Sequence, residues 1–360
     1  MPLSYLVGGS DTPVPPQAAA VGYNTKTFDS TTLSNQPGDV YYPAGFYGYP
    51  GIPATQNADG SFTAPGSEGF ACTAGLNRTG PNQFSGVAFG GGAYFETIAS
   101  WQPGTGAAGA SWPAIWFNDA ETMAYNKVTG SNIWPGLTAV AKAGNADIVL
   151  NFPSTGNYAV GNRIVFGGSM GSVTGLQVGT TYYIVQTTPT SIRVAAEAGA
   201  CPIIPSGSGS ATLVVQFGTW IEVDCEYDAG STSELGYTLH SWNGFVGDGH
   251  QAHETWGAYQ AITGANTFAN PNKFGMLWVP ATATSQGYVS FYFNDQIADT
   301  AKWNLYNPST PPPPLMGSSA FSIIDQRHLI PIISTSTVYP MTVSSWKVWQ
   351  GGVGNNIVNP

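Results

Sequence analysis

The sequence predicts an all-β protein built from many short strands. Only 8% of the 360 residues are charged, whereas 13% are aromatic, and the chain contains 46 glycines and 27 prolines. Helices favour Ala, Glu and Lys on their surfaces, while short strands joined by tight turns favour aromatic and β-branched residues punctuated by Gly and Pro. A hydrophobic fraction of 42% is ample for a core.

The charge balance limits the possible partners. The net charge is −10 with only ten basic residues, and both nucleic acid and an anionic membrane surface require Lys/Arg patches. We therefore expect no nucleic acid and no membrane partner. A neutral partner fits better, and sugars are neutral.

The cysteines and the N-terminal sequence indicate how the protein reaches its place of action. Cys72, Cys201 and Cys225 are odd in number and irregular in spacing, which predicts neither a disulfide framework nor a metal site. The stretch 1–9 lacks the basic region and long apolar run of a secretory signal, and no segment reaches membrane-spanning length. We expect the protein to leave the cell another way, such as host lysis by a virus.

The chain divides into four parts by composition. Residues 1–64 are rich in Pro and Tyr and predict an extended arm with turns; its Tyr cluster at 41–49 fits a cleft rim, a subunit contact or packing across the fold equally well. Residues 65–145 and 216–360 carry the main strand pattern. Between them, residues 146–215 predict a small inserted β-module with its own strands and turns. We expect a short helix or loop at 120–145 and a loop at 230–249.

The most informative stretch is 218–228, because it places acids at every second position among β-formers. Its side chains alternate between two faces of a strand. One face presents Ile221, Val223 and Cys225 to a core; the other carries Trp220 and the three acids, which are Glu222, Asp224 and Glu226. A row of like charges destabilises a sheet, so the row indicates a function. The alternative is a solvated outer strand that carries acids by chance.

Paired carboxylates flanking a bond are the requirement of glycoside hydrolysis. A retaining enzyme places its two carboxyl groups about 5–5.5 Å apart, whereas positions i and i+4 of a flat strand are about 13 Å apart. The strand must therefore curve, which predicts a cleft across a bent antiparallel sheet. Asp224, between the two glutamates, would push their pKa values apart.

The acidic stretch Glu222-Val223-Asp224-Cys225-Glu226 resembles the E-x-D-x-E signature of glycoside hydrolase family 16. Further segments resemble the family's strands in the same order: Tyr94-Phe95-Glu96 resembles "GYFEAR", 111–116 resembles "WPAFW", His253 with Tyr259 resembles "H-T-Y", 291–295 resembles "FYVDG" and 343–350 resembles "VDYVRVYQ". The resemblance implies a concanavalin-like jelly roll, a two-sheet antiparallel β-sandwich, with the activity of a retaining endo-β-1,3/1,4-glycanase.

The resemblance also implies roles for individual residues. Glu222 would be the nucleophile, Glu226 the general acid/base and Asp224 the group that tunes both. Trp220 would form the floor under the sugar. Further candidates for contact with the polysaccharide are Trp112, Trp116, His253 and Trp242. For the first three a structural role in the fold is the alternative, and Trp242 is a weaker candidate.

The sequence predicts no metal and no cofactor. His240, His250 and His253 are close in sequence but lack metal-ligand spacing. Ser344 stands where the closing strand of the family often has a calcium-binding Asp, which makes a structural calcium doubtful.

A second resemblance concerns the inserted module. The runs 160–166 and 175–186 resemble a β-module of bacteriophage structural and tail proteins. Together with the missing signal, it predicts a location on a virion or outside the cell after lysis. The partners would then include other virion proteins or further copies of this chain.

Three functions remain open from sequence. They are a retaining glycosidase, a lectin-like protein that binds a host glycan without turnover, and a structural or decoration protein of a virion. The intact acid triad favours the first. The identity of the polysaccharide does not follow from one chain.

Overall fold

The computed structural model of this protein describes most of the chain. The described residues are 13–34, 38–40, 52–66, 69–76, 84–101, 113–119, 125–126, 131–132, 138–150, 160, 163–178, 180–197, 199–217, 219–227, 234–243, 251–261, 268–305, 321, 324–325, 327–335, 340–352 and 356–359.

The described residues contain one short helix and 28 strands. Up to residue 119 these are α1 (Pro16–Ala19), β1 (Thr25–Asp29), β2 (Ile52–Pro53), β3 (Thr55–Gln56), β4 (Phe62–Ala64), β5 (Gly69–Cys72), β6 (Ala74–Leu76), β7 (Phe84–Gly90), β8 (Ala93–Trp101) and β9 (Ala114–Asp119). Next come β10 (Tyr125–Asn126), β11 (Ser131–Asn132), β12 (Thr138–Lys142), β13 (Ile148–Leu150), β14 (Arg163–Gly168), β15 (Val173–Thr174), β16 (Thr181–Thr187), β17 (Ser191–Ala195), β18 (Ser206–Gly207) and β19 (Ser210–Phe217). The last are β20 (Thr219–Tyr227), β21 (Glu234–Asn243), β22 (Gln251–Ala261), β23 (Asn272–Val279), β24 (Gly287–Phe293), β25 (Gln296–Trp303), β26 (His328–Ser334), β27 (Met341–Gln350) and β28 (Ile357–Asn359).

Two sheets form the main body of the protein. The first sheet has eight strands in the order β25-β24-β23-β8-β27-β4-β3, with β1 paired to β27. The second has ten, with β2-β5-β26-β9-β20-β21-β22 as its main path and β7, β6 and β28 attached beside β26. The chain passes repeatedly from one sheet to the other, which is typical of a jelly roll. The predicted all-β, two-sheet antiparallel sandwich is confirmed.

The main core lies between the two sheets. Phe95 and Trp278 of the first sheet belong to the same buried cluster as Ile221, Val223 and Cys225 of the second. These side chains are at most 4% exposed. The predicted core side of the acidic strand is therefore confirmed, and the alternation of a strand directs positions 222 and 224 to the outer side of the second sheet.

A closed barrel occupies the part of the chain between β9 and β20. Its strands follow the order β12-β13-β17-β16-β14-β19, and β19 returns to pair with β12. The barrel has its own buried cluster, which includes Ile164, Ile184, Val194 and Leu213. Because β12 and β19 are neighbours, the chain enters and leaves the barrel side by side.

Three sequence expectations about local structure are wrong. The barrel begins at Thr138, inside the stretch 120–145 that was expected to form a helix or loop before the module; its first strand has five residues and pairs with residues 210–214. Residues 234–243 form a strand rather than a loop, because Leu235, Tyr237 and Leu239 alternate into the core.

The third correction concerns residues 1–64. These contain the short helix α1, with Pro16 in its first turn. Proline is tolerated there because a backbone N–H in the first turn has no partner within the helix. They also supply β1, β3 and β4 to the first sheet, with Phe28, Phe62 and Ala64 in the core, rather than a separate arm. The Tyr cluster lies outside the described residues. No helix in the described part of the chain is long and apolar enough to cross a membrane.

Candidate active site

The acidic strand β20 lies inside the second sheet, between β9 and β21. Its pairing with β21 runs from Thr219↔Asn243 to Tyr227↔Leu235, and its pairing with β9 covers residues 222–226. Neither ladder contains a register shift. The strand is thus hydrogen-bonded on both edges, and its core side chains fix its position against the first sheet.

Cross-strand pairing places specific neighbours beside each acid. Glu222 is opposite Asn118 of β9 and His240 of β21. Asp224 is opposite Trp116 of β9, with Thr238 on its other side. Side chains opposite each other on antiparallel strands share one face, with Cβ atoms about 4.5–5.5 Å apart. An amide, an imidazole and an indole therefore line the row of acids.

Glu222, Asp224 and His240 converge on one point. One side-chain ligand atom from each lies within 4.8 Å of those from the other two. The Nε2 atom of His240 is 3.7 Å from Oδ2 of Asp224. Asp224 is 5% exposed, while the other two are half-buried.

Burial determines the charge of the histidine. It lowers the pKa of His240 to about 4, since desolvation disfavours the imidazolium. At neutral pH the ring is therefore uncharged, and its contact with Asp224 is not an ion pair. An uncharged imidazole has one donor and one acceptor nitrogen, so it can hold a neighbouring carboxyl group without neutralising it.

Trp116 is the one predicted stacking residue with a described side chain. It is half-buried and lies on the same face as Asp224, while its neighbours Ile115 and Phe117 enter the core. Its Nε1–H donates a hydrogen bond to Oγ of Ser334 at 2.9 Å. The ring is thereby held in place beside the acids.

A buried ion pair supports the strand ends next to Glu222. Arg327 Nε is 3.3 Å from Oδ2 of Asp119, and neither side chain is more than 1% exposed. The other carboxylate oxygen of Asp119 accepts a hydrogen bond from the backbone N–H of Ile221 at 3.3 Å. The ladder between β9 and β20 stops at Glu222↔Asn118, so the Asp119 side chain continues it by one bond.

The remaining predicted site residues are described only in part. Glu226 pairs with Gly236 and Ala114, and Trp220 pairs with Trp242. His253 is the residue left over where the register of β21 and β22 shifts between Ser241 and Trp242. The side chains of these four predicted residues, and all of Trp112, lie outside the described part of the structure. Their roles stay predictions.

His240 and Asn118 belong to the site but were not predicted as members of it from the sequence. Alternation of Leu235, Tyr237 and Leu239 was the available signal, because it places Thr238 and His240 on the opposite face of a strand. Which residue of that strand faces Glu222 depends on register, and register across a connection of uncertain length cannot be obtained from one sequence.

The calcium position suggested by the family resemblance lies on the other sheet. Ser344 is exposed and sits at the register shift between Val343 and Ser345 of β27, where its Oγ–H donates to the carbonyl of Ile98 at 3.4 Å. A serine hydroxyl is a weak calcium ligand compared with a carboxylate, and the absence of calcium stays a prediction.

Comparison with solved structures gives distant likenesses. An endo-1,3-β-glucanase from Streptomyces sioyaensis is 12% identical with a TM-score of 0.39, over 93% of this chain and 97% of that one. The catalytic domain of a laminarinase from Thermotoga petrophila is 10% identical with a TM-score of 0.36, over 91% and 95%. The carbohydrate recognition domain of Emp47p is 7% identical with a TM-score of 0.35, over 96% and 100%. No protein-family model and no curated protein matches the chain.

Proposed function

We propose that this protein is a retaining endo-β-glycosidase that cleaves a polysaccharide at the outer face of the second sheet. The observation that carries the proposal is the convergence of Glu222, Asp224 and His240 within 4.8 Å on that face. The motif resemblance to glycoside hydrolase family 16 also supports it, because Glu222 and Asp224 both belong to the E-x-D-x-E signature.

The chemistry assigned to the strand is a double displacement. A carboxylate oxygen of Glu222 attacks the anomeric carbon, the glycosidic C–O bond breaks, and Glu226 donates its proton to the departing oxygen. Glu226 then removes a proton from water, which attacks the same carbon and releases the Glu222 carboxylate. Two inversions give net retention.

Asp224 and His240 prepare the nucleophile. The carboxyl group of Asp224 stands between the two glutamate positions, where it can share a proton with either. The uncharged imidazole of His240 faces both Asp224 and Glu222 without adding a positive charge. A proton on Asp224 and the N–H of His240 can each be donated in a hydrogen bond to the Glu222 carboxylate that attacks the anomeric carbon.

The substrate class follows from the lining. Trp116 offers a half-exposed indole that can pack on the apolar face of a pyranose. The chain carries ten basic residues in total, which does not favour a strongly anionic glycan. A neutral or weakly anionic β-linked polysaccharide fits this surface.

The test is a polysaccharide screen with matched variants. Wild-type protein is incubated with β-1,3-glucan, mixed-linkage β-glucan, agar and carrageenan, and new reducing ends are measured. Proton NMR during the reaction should show that the first product keeps the β configuration. Glu222→Gln should abolish turnover, whereas Glu197→Gln, an exposed acid on the barrel, should leave it unchanged.

The screen also separates the alternatives. Binding to a glycan without new reducing ends would replace the proposal with the lectin-like function. Neither binding nor cleavage on any glycan would favour the structural function. Turnover by the Glu222→Gln protein equal to wild type would contradict the assigned nucleophile.

A further inference from the structure

We propose that Glu222, Asp224 and His240 together bind one divalent transition-metal ion, with Zn²⁺ as the reference ion. The three side chains come from two neighbouring strands: His240 lies directly opposite Glu222, and Asp224 is two positions along the same face. Their ligand atoms all lie within 4.8 Å of one another. The proposal concerns binding and does not depend on the glycosidase activity.

The distances suit a small ion after a modest contraction. In a tetrahedral site with metal–ligand bonds of about 2.0–2.2 Å, ligand atoms lie about 3.3–3.6 Å apart. The separation of His240 Nε2 and Asp224 Oδ2 is 3.7 Å, which is longer than a hydrogen bond but close to this spacing. Movement of about 1 Å by the most distant ligand would complete the set, which the half-buried Glu222 side chain can supply.

The ligand types select among cations. Imidazole nitrogen and carboxylate oxygen are both zinc ligands, and a site with three protein ligands leaves a fourth position for water or a sugar hydroxyl. Calcium and magnesium prefer oxygen ligands only and higher coordination numbers. The site should therefore favour Zn²⁺ over Ca²⁺ and Mg²⁺.

Electrostatics favour a cation at this point. Glu222 and Asp224 are two positions apart on one strand face, where like charges destabilise the sheet. A doubly charged cation offsets both carboxylates at once. The core side of β20 is fixed by Ile221 and Val223, both fully buried, so the ligands are presented by a rigid strand and little ordering is needed on binding.

One consequence rests on the proposed function. A metal ion bound by Glu222 occupies the oxygen that would attack the anomeric carbon. Zn²⁺ should therefore inhibit hydrolysis in competition with substrate. A chelator should relieve this inhibition, and the inhibition should depend on Glu222, Asp224 and His240.

The experiment is calorimetric titration of the 360-residue chain with ZnCl₂. All proteins carry Cys201→Ser, because Cys201 is an exposed free thiol that would bind Zn²⁺ independently. The parent should bind one Zn²⁺ per chain, with weaker binding of CaCl₂ and MgCl₂. His240→Ala and Glu222→Gln should each weaken Zn²⁺ binding by about 10- to 100-fold or more. Loss of a residue that only hydrogen-bonds to a metal ligand already has an effect of that size.

Glu197→Gln serves as the matched control. Glu197 is an exposed acid on the barrel, outside the three-residue site, and its replacement should leave Zn²⁺ affinity unchanged. Circular dichroism without metal verifies that each variant folds; if His240→Ala does not, His240→Gln replaces it. Failure of the parent to bind Zn²⁺ saturably, or equal affinity in the His240 variant, would overturn the proposal. Zn²⁺ binding without hydrolysis of any glycan would refute the proposed function alone.

Discussion

The guanidinium of Arg327 and the carboxylate of Asp119 form an ion pair that is shielded from solvent, with Nε 3.3 Å from Oδ2. The pair joins three neighbouring strands of the second sheet: Asp119 ends β9, Arg327 immediately precedes β26, and the Asp119 carboxylate accepts from the N–H of Ile221 in β20. The residue after Ile221 is Glu222. The pair therefore supports the part of β20 that carries Glu222, the proposed nucleophile.

Replacement of Asp119 by Ala should be strongly destabilising. It leaves the buried Arg327 charge without this carboxylate, and breaking a buried pair from one side costs about 3–5 kcal/mol. Urea unfolding measures the loss. Asp29→Ala, which removes a partly exposed pair with Lys26, should cost less than about 1 kcal/mol. Equal losses in the two variants would contradict the assigned importance of the Asp119 pair.

Removal of the Trp116 ring should weaken glycan binding. Trp116→Ala, made in the Glu222→Gln protein so that no turnover occurs, should lower affinity about fivefold, because aromatic packing is worth about 1 kcal/mol. Trp116→Phe keeps a ring and should retain most of the affinity although it loses the bond to Ser334. Affinity is measured by calorimetry on a short oligosaccharide of the cleaved glycan. Unchanged affinity in Trp116→Ala would remove this residue from the site.

Asp325 should make stability depend on pH. Its carboxylate accepts from Trp278 Nε1, Trp303 Nε1 and the N–H of Ala281 at 2.7–3.1 Å. Desolvation nevertheless dominates and raises its pKa from 3.8 to about 6, with those three hydrogen bonds opposing the shift. Because the folded state binds the proton more tightly, this contribution to stability is complete below pH 3.8 and is lost as the pH rises through about 6.

The size of the effect is roughly 3 kcal/mol between these limits. The free energy of unfolding of wild type minus that of Asp325→Asn should therefore fall between pH 4 and pH 7. Urea unfolding of both proteins across this range gives the difference directly. A difference that stays constant, or rises with pH, would show that Asp325 has no raised pKa in the folded protein.

The barrel should be separable from the sandwich. It has its own core, its closed sheet leaves no open edge, and Thr138 pairs with Val214, so its two ends are adjacent. Replacing residues 138–217 by a short Gly/Ser linker should leave a folded sandwich, and the excised barrel should fold alone. Leu213→Ala, a fully buried site, should destabilise the isolated barrel by about 2–5 kcal/mol. Loss of β structure from the shortened sandwich would contradict this independence.

Features that depend on residues close together in the sequence are predicted here, whereas features that depend on contacts between distant segments are not. Alternation within β20 predicts that Ile221, Val223 and Cys225 enter the core, because the period of a strand is local. The pairing of Glu222 with His240 is not local, since it depends on the register between strands. The alternating pattern of residues 138–142 is too short to distinguish a strand from a loop. Only the pairing of this segment with β19 identifies it as a strand. The virion location stays a prediction, which mass spectrometry of purified particles would test.

The side-by-side ends of the barrel also bear on how the chain folds. Asp119 ends β9 and Thr219 begins β20, so two strands that pair directly are separated by 219 − 119 = 100 positions. Closing so long a loop slows folding, because its entropy is lost before the contact forms. The barrel is complete in sequence before β20 is synthesised, so we expect the barrel to close before β9 and β20 pair. Once the barrel has folded, its adjacent ends at Thr138 and Phe217 shorten the effective loop between β9 and β20. The inserted barrel would then promote pairing of the two parts of the sandwich that flank it in sequence.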